Sequence, residues 1–152
     1  MKIKTTVAAL ALSLFSAGFS TSVSAHDLKF KILSASNGAG ATDVWEVSCL
    51  NSSLLGDTAR LVAQVRDFSP ADSNLVSLII YKDGKAASTT DLSAGDAGYS
   101  PLVSVNAGNG VYTMMANHTK VGNQVYFIEY HCENAAGDHT PSTVPSTPVQ
   151  DQ

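Results

Sequence analysis

The sequence predicts an all-β protein, a sandwich of about seven or eight strands of jelly-roll or immunoglobulin-like type. Three observations predict it. Apolar and polar residues alternate at period two in run after run. Turn residues punctuate those runs at short intervals. No segment of useful length carries the 3.6-residue period of an amphipathic helix.

The strands justify themselves in order. Leu28, Phe30 and Ile32 alternate with Lys29 and Lys31, which puts the three apolar residues on one face. Trp45, Val47 and Cys49 alternate with Glu46 and Ser48. Leu61, Ala63 and Val65 alternate with Arg60, Gln64 and Arg66. Residues 75–81 are apolar nearly throughout and read as a strand covered on both faces. Asp83-Gly84 after them is a two-residue hairpin signal. Residues 102–105 and 111–116 form two more runs around the turn-rich segment 106–110. The last run, 125–132, puts Tyr126, Ile128, Tyr130 and Cys132 on one face. The expected core is Trp45, Val47, Leu61, Val65, Leu78, Ile80, Tyr112, Ile128 and Tyr130.

Residues 1–25 read as a signal peptide. Lys2 and Lys4 form a short positive start, an apolar stretch follows from Val7 to Phe19, and Val23-Ser24-Ala25 supplies the small residues a signal peptidase needs. The stretch is too short and too rich in Ser and Thr to anchor the chain in a bilayer. Residues 26–138 then form one sandwich domain. Residues 139–152, mostly Pro, Ser, Thr, Gln and Val, read as a disordered tail. The expected localisation is export, to the periplasm or beyond the cell, in a bacterium.

Without residues 1–25 the chain keeps 7 basic and 13 acidic side chains, a formal charge of −6. The basic residues are scattered, so nothing tracks a phosphate backbone and nucleic acid is excluded as an expected partner. Cys49 and Cys132 are the only cysteines. In an exported chain they are expected to pair.

The pattern from Asp43 to Tyr130 resembles the bacterial pre-peptidase C-terminal type of β-sandwich domain. The resemblance rests on Asp43 to Cys49, on Leu78 to Gly84 with its Tyr81 and Gly turn, on Pro101-Leu102, on Gly110-Val111-Tyr112, and on Tyr126 to Tyr130. It implies a jelly-roll-like accessory module of secreted enzymes, some of which bind polymers and some calcium. The Cys pair departs from that pattern, and an Asp-rich calcium segment is not evident. The immunoglobulin-like alternative rests on Tyr130, two residues before Cys132.

Candidate chemistry is sparse. There is no Gly-x-Ser-x-Gly elbow and no recognisable Ser, His and Asp order, so no enzyme is expected. His26, freed at the cut, would carry an α-amine and an imidazole, a chelating pair suited to Cu(II), with His118, His131 or His139 as further ligands. Phe127, Glu129, His131 and Glu133 alternate with the core residues of the last strand and mark a candidate binding face. Asp67 and Asp72 flank Phe68-Ser69-Pro70, and Asp91 and Asp96 lie in a second loop. Loop carboxylates suit Ca²⁺, although the spacing matches no EF-hand and solvated loop aspartates are the plainer account. The expected function is a non-catalytic exported accessory or binding module for an unknown polymer or protein ligand, with no required cofactor. A periplasmic copper protein built on His26 and a structural surface protein with the tail as spacer are the alternatives.

Overall fold

Period-two burial organises the chain, and the computed structural model describes residues 26–152 of it. The expected signal peptide, residues 1–25, lies outside the described residues. The strands are β1 (His26–Leu33), β2 (Thr42–Cys49), β3 (Arg60–Ser69), β4 (Val76–Lys82), β5 (Lys85–Thr90), β6 (Val103–Val105), β7 (Gly110–His118), β8 (Gln124–Glu133), β9 (His139–Thr140) and β10 (Ser142–Thr143). One short 3-10 turn, Ala35–Gly40, links β1 to β2.

Two antiparallel sheets pack face to face. One has the order β1-β8-β3-β6, with β9 also on β8, and the other has the order β10-β2-β7-β4-β5. The eight longer strands thus alternate between sheets as 1-8-3-6 over 2-7-4-5, the order of a jelly roll made of two Greek keys. An immunoglobulin sandwich places its first and second strands side by side, and here they lie in different sheets.

Between the sheets lies the expected core. Trp45, Val47, Leu61, Val65, Leu78, Ile80, Tyr112 and Ile128 are fully buried, and Tyr130 nearly so. Cys49 on β2 and Cys132 on β8 are joined by a disulfide, with 5.6 Å between their Cα atoms. The bond ties one sheet to the other. Asp83 and Gly84 both take positive φ, 50° and 76°, and turn β4 into β5 with Lys82 opposite Lys85.

The structure corrects four expectations. In β1 the alternation breaks: Leu28 and Leu33 are buried, but Phe30 and Ile32 are exposed. A bulge between Leu28 and Lys31 slips the register, and a one-residue slip sends side chains to the opposite face. In β4 burial alternates, so the strand is covered on one face and Tyr81 is exposed. Asp67 is not a loop residue but sits in β3, fully buried. Finally, residues 139–152 do not trail away. β9 pairs with β8 and β10 with β2, and Val44 exchanges backbone hydrogen bonds with Val149 and Gln150. The Gln152 backbone donates to Asp43 Oδ1 (2.8 Å) and accepts from the Ser34 N–H (3.0 Å). The segment covers the free edge of β2, where unpaired backbone groups would otherwise invite another chain.

Candidate functional site

The outer face of β1, β8 and β3 gathers the aromatic and charged side chains that the core does not use. Period two puts Phe127, Glu129, His131 and Glu133 on that face of β8, as expected, and Arg60, Gln64 and Arg66 on the same face of β3. Arg66 is paired with Phe127, Gln64 with Glu129, and Arg60 with Glu133.

At one end the face is aromatic. The β1 bulge leaves Lys29 and Phe30 across from Phe127. Phe30 takes φ 53° there, a conformation that bulky residues rarely adopt, and the residue is 66% exposed. It packs on Phe127 at 4.8 Å between ring centroids and on Phe68 at 5.9 Å, while Phe68 meets Phe127 at 5.0 Å. Phe127 itself is only 4% exposed, so it is the floor of the cluster and not its contact surface. The Arg66 guanidinium lies 4.3 Å from the Phe127 ring centre, 5.2 Å from Phe68 and 5.3 Å from Tyr99. Its Nε is buried with no hydrogen-bond partner. Burial pushes the Tyr99 phenol above its usual range, and the Arg66 charge partly opposes this. Lys29 and Asp27 form an exposed ion pair at 2.9 Å on the rim.

At the other end the face is ionic and largely self-satisfied. Arg60 Nε and Nη2 both reach Glu133 Oε2, at 2.8 and 2.7 Å. Gln64 Nε2 donates to Glu129 Oε2 (3.2 Å), and His131 Nε2 lies 3.3 Å from Glu129 Oε1. The His131 and His139 rings lie tilted against one another, with centroids 4.3 Å apart. The two glutamates are therefore held by cross-strand neighbours, which leaves little of them for a ligand.

The histidines do not assemble around His26. Its ring stacks on Tyr130 at 5.6 Å, on the side of β8 opposite to His131. His118 is buried against the other sheet, with Nδ1 3.3 Å from Asn74 Nδ2 and Nε2 2.9 Å from the Gly38 carbonyl. Among the described residues no three His, Cys, Asp or Glu side chains converge at metal-binding distance.

The sequence marks the aromatic end only in part. Phe127 lies on the expected binding face, but the alternation of Leu28, Phe30 and Ile32 turns Phe30 towards the core side, and Phe68 and Arg66 carry no motif. Their signal was present, since Gln64, Arg66 and Phe68 continue the outward alternation of β3 and put an exposed phenylalanine beside an arginine. The chain matches no protein-family model, no curated protein and no solved structure.

Proposed function

We propose that this protein is an exported, non-catalytic binding module and that it holds a protein ligand at the aromatic ridge of Phe30 and Phe68. The observation that carries the reading is Phe30 itself. A bulged strand in an unfavourable backbone conformation turns a phenylalanine out to solvent, directly over a buried Phe127 and beside Arg66. Bulges that re-aim a side chain are characteristic of functional edges. Exposed aromatics next to an arginine are the residue types that dominate the energetics of protein interfaces.

The ring geometry favours a protein over a polysaccharide. Phe30 and Phe127 meet Phe68 edge to face, with interplanar angles of 84° and 71°. They form a ridge, not a flat platform for sugar rings, and the one Trp is in the core. The Cys49–Cys132 disulfide supports an oxidising compartment. The resemblance to accessory modules of secreted enzymes points the same way. The tail lies along β2, which disfavours a spacer role.

A photo-crosslinking amino acid at position 30, in cells exporting the protein, tests this. The expected result is a discrete protein adduct that Phe68→Ala abolishes and that is not formed from exposed Leu92. Retention of the purified protein on chitin, cellulose or peptidoglycan, with no such adduct, would replace the protein ligand by a polymer.

A further inference from the structure

One end of the sandwich interior holds a knot of oxygen atoms that the fold leaves without partners. Asp67 lies on the inner face of β3, in line with Leu61, Ala63 and Val65, and has no solvent exposure. Neither of its carboxylate oxygens has a hydrogen-bond partner in good geometry; only the Val76 N–H is turned towards them. Gln124, the first residue of β8, is equally buried. Its amide nitrogen donates to Asp72 Oδ1 (2.9 Å) and to the Asn74 carbonyl (3.0 Å). Two acceptors on the nitrogen fix the amide's orientation, and its oxygen is left unpartnered as well.

Two more carboxylates surround Asp67. Asp91 is buried, accepts the Asp67 N–H at Oδ2 (2.8 Å) and accepts the Ser93 N–H at Oδ1 (3.0 Å). Asp72, on the loop after β3, has Oδ1 committed to the Asn74 N–H and to Gln124. Both raise the proton affinity of Asp67, after burial, which raises it most; the Val76 N–H opposes them. Among the described residues no Lys, Arg or His makes a salt bridge to any of the three. Lys120 at the rim donates to Ser73 Oγ instead.

Buried oxygens of this kind are nearly always satisfied, and an orphaned group calls for an explanation. A proton on Asp67 removes its charge but leaves an O–H without an acceptor and the Gln124 oxygen still bare. A hard cation lying between them would satisfy these oxygens at once. We propose that Asp67 and the side-chain oxygen of Gln124 are ligands of a calcium ion, with Asp72 and Asp91 supplying the surrounding negative charge. Calcium takes six to eight oxygen ligands in flexible geometry, including amide and backbone carbonyls, whereas magnesium demands a near-ideal octahedron. That fits a site made of one buried carboxylate and neutral oxygens and not of three converging acids. Two loops close over it. The Gly95 N–H donates to the Asp67 carbonyl (2.8 Å), and a side chain at Gly95 would collide with Ala71 at 2.4 Å.

Isothermal titration of CaCl₂ into the processed, EDTA-treated protein tests the site. One saturable site with Kd at or below about 1 mM is expected, the range of extracellular calcium modules. Asp67→Asn should abolish it, and Asp96→Asn, in the exposed neighbouring loop, should leave it intact. Calcium should also raise the Tm of the wild-type protein at a fixed pH. That shift does not depend on any variant folding. No saturable heat, no rise in Tm with calcium, or equal affinity in Asp67→Asn would each overturn the proposal.

Discussion

The Tyr126 hydroxyl donates to Asp43 Oδ2 at 2.6 Å, across the interior from one sheet to the other. The same oxygen of Tyr126 accepts the Trp45 indole N–H at 3.1 Å. Asp43 in turn accepts the Gln152 N–H, so the relay ties the core tryptophan, both sheets and the end of the chain together. All three side chains are buried, so each must find its partner inside the protein.

Tyr126→Phe removes only the shared oxygen. It leaves the Asp43 carboxylate and the Trp45 N–H buried and short of a partner, a loss of about 2–4 kcal/mol in urea unfolding. Burial pushes the Asp43 carboxyl up and the Tyr126 hydrogen bond pulls it back. The hydrogen bond therefore favours the ionised form, and the loss should be larger at pH 8 than at pH 4. A pH-independent loss would mean that Asp43 keeps one charge state over that range.

Asp67 sets a second pH dependence. Burial first, then Asp91 and Asp72, push its carboxyl up to about 7. A raised acid binds its proton more tightly in the folded state. Its contribution to stability is complete below about pH 4, the usual carboxylate value, and is lost as pH rises to about 7. In EDTA, unfolding experiments should therefore find the protein a few kcal/mol less stable at pH 8 than this group allows at pH 4. Asp67→Asn should flatten the profile and gain stability at pH 8. Calcium should restore the wild type at pH 8 and do nothing for the variant.

Most of the sandwich is legible because the sequences of its core strands keep an inward apolar residue at every second position. Trp45 and Val47 alternate with polar or half-exposed residues along β2, as Ile128, Tyr130 and Cys132 do in the second half of β8. The outward turn of Phe30 is not legible because a bulge is a backbone event, and nothing in Leu28 to Leu33 announces the slip. The order of the tail is not legible because its Pro, Ser and Thr bury little surface. Its order comes from main-chain bonds to β2 and from Asp43, which composition does not reveal. Asp67 had a visible signal, since the inward alternation Leu61, Ala63, Val65 runs straight on to it. An acid on a core register is a candidate ligand before it is a loop residue.

The Cys49–Cys132 bond closes a loop of 83 residues between the two sheets. On the chain-entropy account such a cross-link is worth about 4.5 kcal/mol, an upper value. Reduction, or Cys49→Ala with Cys132→Ala, should lower Tm clearly while circular dichroism at low temperature still reports β structure. Equal melting of reduced and oxidised protein would mean that the sheets hold together without it.

The last prediction separates folding from binding at position 30. Phe30 sits at φ 53°, where a side chain costs about 1–2 kcal/mol and glycine costs nothing. Against that stands its contact with Phe127 and Phe68, made by a residue that is two-thirds exposed. These terms nearly cancel, so Phe30→Gly should leave Tm unchanged or slightly raised. Phe68→Ala has no strain to relieve and should destabilise modestly. Phe30→Gly should nevertheless lose the ligand, because the ridge loses its outermost ring. A residue that relieves strain when removed, and takes binding with it, is kept for the contact it makes outside the fold. A clear drop in Tm for Phe30→Gly would instead make Phe30 a cover for Phe127, and the ridge a part of the core.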